Sequence, residues 1–311
     1  MKQIAKTAFN NLQKTKSKIE KVNISNPLSG RKFTKQKFQN PEILKNYVVS
    51  DNLIEAEGGI PLTWWTHAPN FGDLLSPWLF TMITGKPVVK ADKSKPHYFS
   101  IGSIAKYTNE NSLVWGSGSF GTETKENFKK ETIYSAVRGP LSQTRIEYSG
   151  ANVPDVYGDP ALLAPLFFNP RIEKVYEVGL VVRWNEKKWL NTKVGPNVKL
   201  IDLRRGDIEG VLSDFIKCKK IVSSSLHGLI IADAYNIPSA WLDSSSPTGG
   251  GFKYYDHFLA VNKVRNPQQF DPTKQTIVTA EMLIHNLKFD HQVIEFNPVS
   301  LLDACPLLKR I

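Results

Sequence analysis

Three serines and a histidine in one short run, Ser223-Ser224-Ser225-Leu226-His227-Gly228, are the residues of this chain best suited to chemistry. An apolar stretch leads into them and another comes after, which reads as strand, turn and helix. Serines cap helix starts, and the open N–H groups there attract anions. His227 falls in the first helical turn. The positive helix end keeps an imidazole neutral until an anion arrives, and the anion then favours the imidazolium. The chemistry implied is a proton donor charged by its own anionic substrate. A serine-hydrolase reading fails, because no G-x-S-x-G elbow surrounds these serines.

Three other places come after apolar runs. Asn70-Phe71-Gly72-Asp73 offers Asn70 and Asp73 as helix caps or as site groups, with Gly72 permitting close approach. Gly116-Ser117-Gly118 lies in a run of small residues that makes either a nest of N–H groups for an anion or a plain loop. Its glycine spacing is not that of a dinucleotide site, and no acidic ribose-binding residue stands at the expected offset. Arg138, before Gly139-Pro140, has a guanidinium that forks a carboxylate or phosphate, or else forms a surface ion pair.

The elements that must position these groups alternate. Residues 60–65, 98–102, 113–116 and 133–137 read as strands, with helices over 74–84 and 140–147. A proline-flanked break comes near 167–171. The alternation resumes with strands at 178–182, 199–202, 220–223 and 239–242 and helices at 208–217 and 226–235. Strand–helix alternation predicts an α/β fold with parallel sheets. The expected division is a basic arm and connector over 1–60, one α/β domain over 61–168 and a second over 169–311. Two such sheets leave a cleft, and ligands of open α/β sheets bind beyond the carboxyl ends of the strands.

The chain has 311 residues and a formal net charge of +11. Residues 1–50 hold 11 Lys/Arg against 2 Asp/Glu, and the rest hold 29 against 27, so the excess is N-terminal. The arm is either a solvated tail or a contact for an anionic partner. Within it, Ile4, Ala8, Leu12, Thr15, Ile19 and Val22 keep helical spacing among lysines. That pattern suits a helix on an anionic membrane surface, or one packed on its own protein. No apolar run approaches the roughly 20 residues that span a bilayer. Two distant cysteines and no zinc-type spacing predict neither a disulfide framework nor a metal site, and a reducing, cytoplasmic setting. Neither a helix-turn-helix nor an RNP pattern supports nucleic-acid binding.

Six short motifs in order resemble the polysaccharide pyruvyl transferases, in particular the succinoglycan-type branch. They are Asn70-Phe71-Gly72-Asp73, Gly116-Ser117-Gly118, Val137-Arg138-Gly139-Pro140, Gly158-Asp159-Pro160-Ala161-Leu162-Leu163, the stretch from Ser225-Leu226-His227-Gly228 to Asn236-Ile237-Pro238, and Phe252-Lys253-Tyr254-Tyr255-Asp256. They span about residues 62–260. The resemblance implies two Rossmann-like domains facing a central cleft, as in GT-B glycosyltransferases, with the C-terminal segment returning to the first. It implies transfer of the enolpyruvyl carbons of phosphoenolpyruvate to a sugar as a cyclic ketal, commonly 4,6-linked, with release of phosphate. The setting would be assembly of a bacterial surface polysaccharide, capsule or exopolysaccharide.

On that reading His227 is the acid, with Asp73 or Asp256 serving the sugar hydroxyl, or with the two roles exchanged. The donor's charge falls to Arg138, Arg183, Lys253, Gly116, Ser117, Gly118 and the turn Ser223, Ser224, Ser225, Leu226 and Gly228. Asn70, Arg183 and Trp184 face the acceptor. Ser225 departs from the pattern, since many members carry arginine there. No metal or other cofactor is expected beyond phosphoenolpyruvate as co-substrate. The implied acceptor is an oligosaccharide on a lipid diphosphate, with residues 1–22 holding the enzyme at the inner face of the cytoplasmic membrane. Two other readings share the motifs: a sugar-nucleotide-dependent glycosyltransferase, and a non-catalytic carbohydrate-binding protein of a polysaccharide assembly.

Overall fold

Strands covered on both faces need apolar residues on both, and Tyr176–Val182 meets that demand, with Val178–Val182 buried throughout. Alternate residues serve different cores. Val178, Leu180 and Val182 pack with Val222, Ala240 and Leu283, whereas Val181 packs with Ile201 and Ile221. The structure is a computed structural model that describes residues 42–183, 185, 186, 189, 191–243 and 249–311, within the unit Lys37–Ile311.

In chain order the elements are β1 (Tyr47–Val49), β2 (Ile60–Thr63), α1 (Phe71–Thr84), β3 (Val88–Lys90), β4 (His97–Phe99), β5 (Ser112–Ser117), β6 (Ile133–Val137), α2 (Pro140–Glu147) and α3 (Ala164–Phe167). Next come β7 (Tyr176–Val182), β8 (Val198–Asp202), α4 (Ile208–Ile216), β9 (Cys218–Ser223), α5 (Leu226–Ala234), β10 (Ser239–Trp241), α6 (Phe252–Ala260), α7 (Ala280–Asn286), α8 (Pro298–Asp303) and β11 (Leu308–Arg310). The expected α/β alternation is present. β2 to β6 form a parallel five-stranded sheet in the order β3-β2-β4-β5-β6. β7 to β10 form a parallel four-stranded sheet in the order β10-β9-β7-β8.

Both orders reverse direction once, between β2 and β4 in the first sheet and between β7 and β9 in the second. Such reversals open a crevice at the carboxyl ends of the strands. The segments after β2, β4, β7 and β9 are therefore the ones brought to a cleft. One core joins the sheets: Phe71 of α1 stacks on Phe215 of α4 at 6.2 Å, and Phe71 N–H donates to Leu203 O at 2.7 Å.

One stretch departs from the sequence reading. The expected connector contains a 3-10 turn, Glu42–Asn46, and then β1, which pairs antiparallel with β11. The motif Phe252-Lys253-Tyr254-Tyr255-Asp256 opens α6. Near the C-terminus, Trp115 Nε1 of β5 donates to Leu301 O of α8 at 2.9 Å, and Leu301 and Phe296 close on Gly158. The expected basic helix over 1–22 lies outside the described residues.

Candidate active site

A cleft of about 250 Å³ lies where the two reversals meet. From the first sheet come Trp65, Asn70 and Asp73 after β2, Gly102, Ser103, Ile104 and Tyr107 after β4, and Phe120 after β5. From the second come Arg183 and Asn185 after β7 and Ser225, Leu226 and His227 after β9, with Lys253 from the first turn of α6. The cleft is small beside the ~300–1,000 Å³ typical of ligand pockets.

His227 stands in the first turn of α5, its side chain 11% exposed, and lines the cleft. Its Nε2 is 3.6 Å from Asp159 Oδ2, an ion-pair contact longer than a hydrogen bond, and both atoms are buried with no hydrogen-bond partner. Asp159 Oδ1 accepts from Ala161 N–H at 3.0 Å, which fixes the carboxylate. Burial works to raise the Asp159 pKa, but His227, the Ala161 N–H and the Arg138 charge outweigh it and hold it below the usual range. On the other side of the ring, a Cβ on Gly72 would stand 2.1 Å from His227 Nδ1, so any side chain at 72 displaces the imidazole.

Asp73 and Lys253 face the same space. Asp73 Oδ2 accepts from Asn70 Nδ2 at 2.6 Å. Burial lifts the Asp73 pKa to about 6, against the opposing pull of His227, Asn70 and Lys253. Lys253 is pushed down to about 7 by burial and by the charges of Arg183 and Arg138, with Asp73 and Glu186 resisting. Its Nζ lies 5.5 Å from the Phe120 ring centre and 5.3 Å from that of Tyr254. Two ionisable groups with altered affinities beside a histidine–aspartate pair mark this cleft as the candidate for acid–base work.

Of the three serines, Ser225 lines the cleft and its side chain makes no capping bond. Ser223 Oγ braces the turn, accepting from Ser225 N–H at 3.0 Å and donating to Ser225 O at 3.0 Å. Ser224 Oγ donates to the Glu186 carboxylate, and Ser224 O accepts from Tyr254 OH at 2.6 Å. Gly228 is there for packing, since a Cβ would stand 2.1 Å from Ser223 Oγ. These three hold the turn and do not line the cleft.

Arg138 and Asp256 pair with each other. Both are fully buried and lie outside the cleft lining. Arg138 Nε donates to Asp256 Oδ2 at 2.9 Å, one terminal nitrogen to Ser103 Oγ at 2.7 Å and the other to Ser119 O at 2.6 Å. Asp256 also accepts from Ser142 N–H at 2.8 Å and Ser142 Oγ at 2.6 Å. These bonds engage both side chains, and the Arg138 charge still reaches Asp159 and Lys253. The pair ties α6 to the start of α2 and steadies Ser103 at the cleft wall.

Gly116, Ser117 and Gly118 are buried and are not among the residues lining the cleft. Gly116 has φ +83° and abuts Pro160, Ser117 Oγ donates to Gly102 O at 2.9 Å, and a Cβ on Gly118 would stand 2.4 Å from the Arg138 guanidinium carbon. Trp184 lies outside the described residues. Sequence reasoning did not pick out Asp159, Trp65, Ser103, Tyr107 or Phe120 as site residues. For Asp159 the signal was the Gly-Asp-Pro motif. Among the described residues, no group of three or more His, Cys, Asp or Glu could hold a metal ion.

Comparison with known proteins gives a consistent picture. The model of the polysaccharide pyruvyl transferase family matches residues 90–246. An uncharacterized protein of Acanthamoeba polyphaga mimivirus is 31% identical over 183 residues, 56% of this chain and 62% of the viral protein, so the chain spans less than two thirds of that relative. The succinoglycan biosynthesis protein ExoV of Rhizobium meliloti (strain 1021) is 27% identical over 254 residues, 76% of each chain. No solved structure matches this chain.

Proposed function

This chain belongs to the polysaccharide pyruvyl transferase family, and from that premise we propose that it transfers the pyruvyl group of phosphoenolpyruvate to a sugar as a cyclic ketal. The observation that carries the reading is the His227–Asp159 pair beside Asp73 and Lys253 in one small cleft. Phosphoenolpyruvate bears a phosphate and a carboxylate. Lys253, Arg183 and the open N–H groups at the start of α5 supply positive charge on the second-sheet side. They take over the neutralising role of the arginine that Ser225 replaces. The sugar lies on the first-sheet side, near Trp65, Asn70 and Asp73.

His227 Nε2 faces Asp159, and the proposed reaction uses Nδ1 toward the substrate. The imidazolium gives its proton to the C3 methylene carbon of phosphoenolpyruvate, and C2 becomes electrophilic. A sugar hydroxyl oxygen bonds to C2 as its proton passes to Asp73. The C2–O bond to phosphate then breaks. The second hydroxyl oxygen closes the ring, its proton departs with the phosphate, and Asp73 returns the first proton to His227. Asp159 stabilises the imidazolium in each half.

The finer architecture belongs to the same proposal. Residues 61–168 and 169–311 act as two Rossmann-like domains in the GT-B manner, supported by the two strand-order reversals that meet at the cleft. The acceptor is an oligosaccharide on a lipid diphosphate at the cytoplasmic membrane face, with residues 1–22 on the anionic surface. No helix among the described residues is long and apolar enough to cross a membrane. No metal takes part, so turnover is unchanged in EDTA.

The pH profile tests the acid–base roles. Asp73 must be ionised to accept a proton, and its pKa is about 6. Lys253 must be an ammonium to hold the donor, and its pKa is about 7. The expected kcat/KM for phosphoenolpyruvate rises through the first value and falls through the second, because kcat/KM reports the free enzyme. At saturating donor the falling limb of kcat moves to higher pH, since the bound anion favours the ammonium. Asp73→Asn loses the rising limb. A rising limb that survives in Asp73→Asn contradicts the assignment of Asp73 as base.

A further inference from the structure

Ser103, on the cleft wall, accepts one hydrogen bond and has another to give. Its Oγ accepts from a terminal nitrogen of Arg138 at 2.7 Å. A hydroxyl that accepts in this way keeps its own proton to donate. Among the described residues, no oxygen receives that proton. Because Ser103 lines the cleft, the O–H is left for a group bound there.

The hydroxyl is held in place from both sides. Gly102 O accepts from Gly118 N–H at 3.0 Å and from Ser117 Oγ at 2.9 Å, and Ala105 N–H donates to Gly118 O at 3.2 Å. Behind it, the Arg138 guanidinium packs on Gly118, where a Cβ would stand 2.4 Å from its carbon. Asp256 holds the Nε edge of that guanidinium, while the terminal nitrogen reaches Ser103. The positive end of the buried pair is thus turned to the cleft wall, and its charge helps to lower the pKa of both Lys253 and Asp159. An O–H that accepts from a guanidinium is polarised and donates more strongly. Its best acceptor is an anionic oxygen.

We propose that Ser103, backed by Arg138, donates its hydroxyl hydrogen to the carboxylate of the donor and so selects an enol phosphate that carries one. The inference rests on the pyruvyl-transfer reading for the identity of that anion. The reading sets the charges of Lys253, Arg183 and the start of α5 on the second-sheet side, where they suit the more highly charged phosphate. Ser103 follows β4 and stands on the first-sheet side. A Cβ on Gly102 would lie 3.2 Å from Asp73 Oδ1, so the residue before Ser103 rests against the proposed base. A carboxylate held at Ser103 therefore brings C2, the carbon it is bonded to, beside the hydroxyl that Asp73 deprotonates. Arg138 serves the donor through Ser103 without touching it.

The test is calorimetric titration of the full chain with phosphoenolpyruvate and with vinyl phosphate, the same enol phosphate without the carboxylate. The wild type is expected to bind phosphoenolpyruvate more tightly. Ser103→Ala is expected to bind it at least about tenfold more weakly and to bind vinyl phosphate as the wild type does. Ser103→Thr keeps the hydroxyl and should keep the preference. Ser103→Ala leaves an Arg138 N–H without its acceptor; should that variant not fold, Ser103→Cys keeps the volume with a far weaker donor and is expected to show the same selective loss. Equal phosphoenolpyruvate affinity in wild type and variant overturns the inference and leaves the functional reading standing. Both ligands weakened alike would give Ser103 to the phosphate or to the fold, and also overturns it. A wild type that binds no phosphoenolpyruvate removes the functional reading and this inference with it.

Discussion

His227→Gln is expected to lower turnover of phosphoenolpyruvate by about 10²–10⁴-fold, the usual contribution of one positioned acid–base group. The ring is the side chain in this cleft that touches both a buried carboxylate partner and open space toward the substrate. Glutamine keeps much of the volume, so the wall and the start of α5 stay in place. On the proposed reading phosphoenolpyruvate affinity changes little, because that reading assigns the donor's charge to Lys253 and Arg183, which line the cleft. Rapid-quench measurement of phosphate release gives the rate, and calorimetry gives the affinity. A variant with wild-type turnover contradicts the acid role. A variant that loses donor affinity in step with its rate makes His227 a binding group.

Asp256→Ala is expected to act on stability. Removing this carboxylate leaves the Arg138 guanidinium fully buried without its ion-pair partner, and also strips Ser142 N–H and Oγ of their acceptor. Breaking a buried pair from one side costs about 3–5 kcal/mol. At about 2–4 °C per kcal/mol for a domain of this size, the melting temperature falls by roughly 6–20 °C. Asp256→Asn keeps the shape and an acceptor oxygen and should lose less. At a temperature where Asp256→Asn is folded, its turnover remains within a few-fold of wild type. Unchanged melting with a hundredfold loss of turnover would instead restore a catalytic role to Asp256.

The contrast between these two residues shows what the sequence made legible. His227 could be placed from local signals alone, since an apolar run, three serines and a second apolar run force a strand–turn–helix. The parallel strands were legible because burial on both faces leaves apolar runs such as Val178–Val182. The partnerships were not. Arg138 and Asp256 are 118 residues apart, and nothing near Arg138 indicates that its charge is spent inside the protein. Asp159 stands in the Gly-Asp-Pro motif, but its relation to His227 depends on how the turn Pro160–Leu163 packs against α5. Gly116 and Gly118 read as a nest for an anion because small residues after a strand suit both an anion and close packing. Here Pro160 and the Arg138 side chain fill that space. β1 was not legible because its pairing partner lies at the other end of the chain.

The measurement that tests the central claim most directly is thermal unfolding of the wild type and of Lys253→Met with phosphoenolpyruvate, set beside UDP-, GDP- and CMP-sugars. A ligand at 100 times its Kd adds about 2.7 kcal/mol, a readable shift. The account predicts stabilisation by phosphoenolpyruvate, its loss in Lys253→Met, and none from the sugar nucleotides. Stabilisation by a sugar nucleotide with no response to phosphoenolpyruvate would contradict it, and would make the turn before α5 a diphosphate site of a glycosyltransferase.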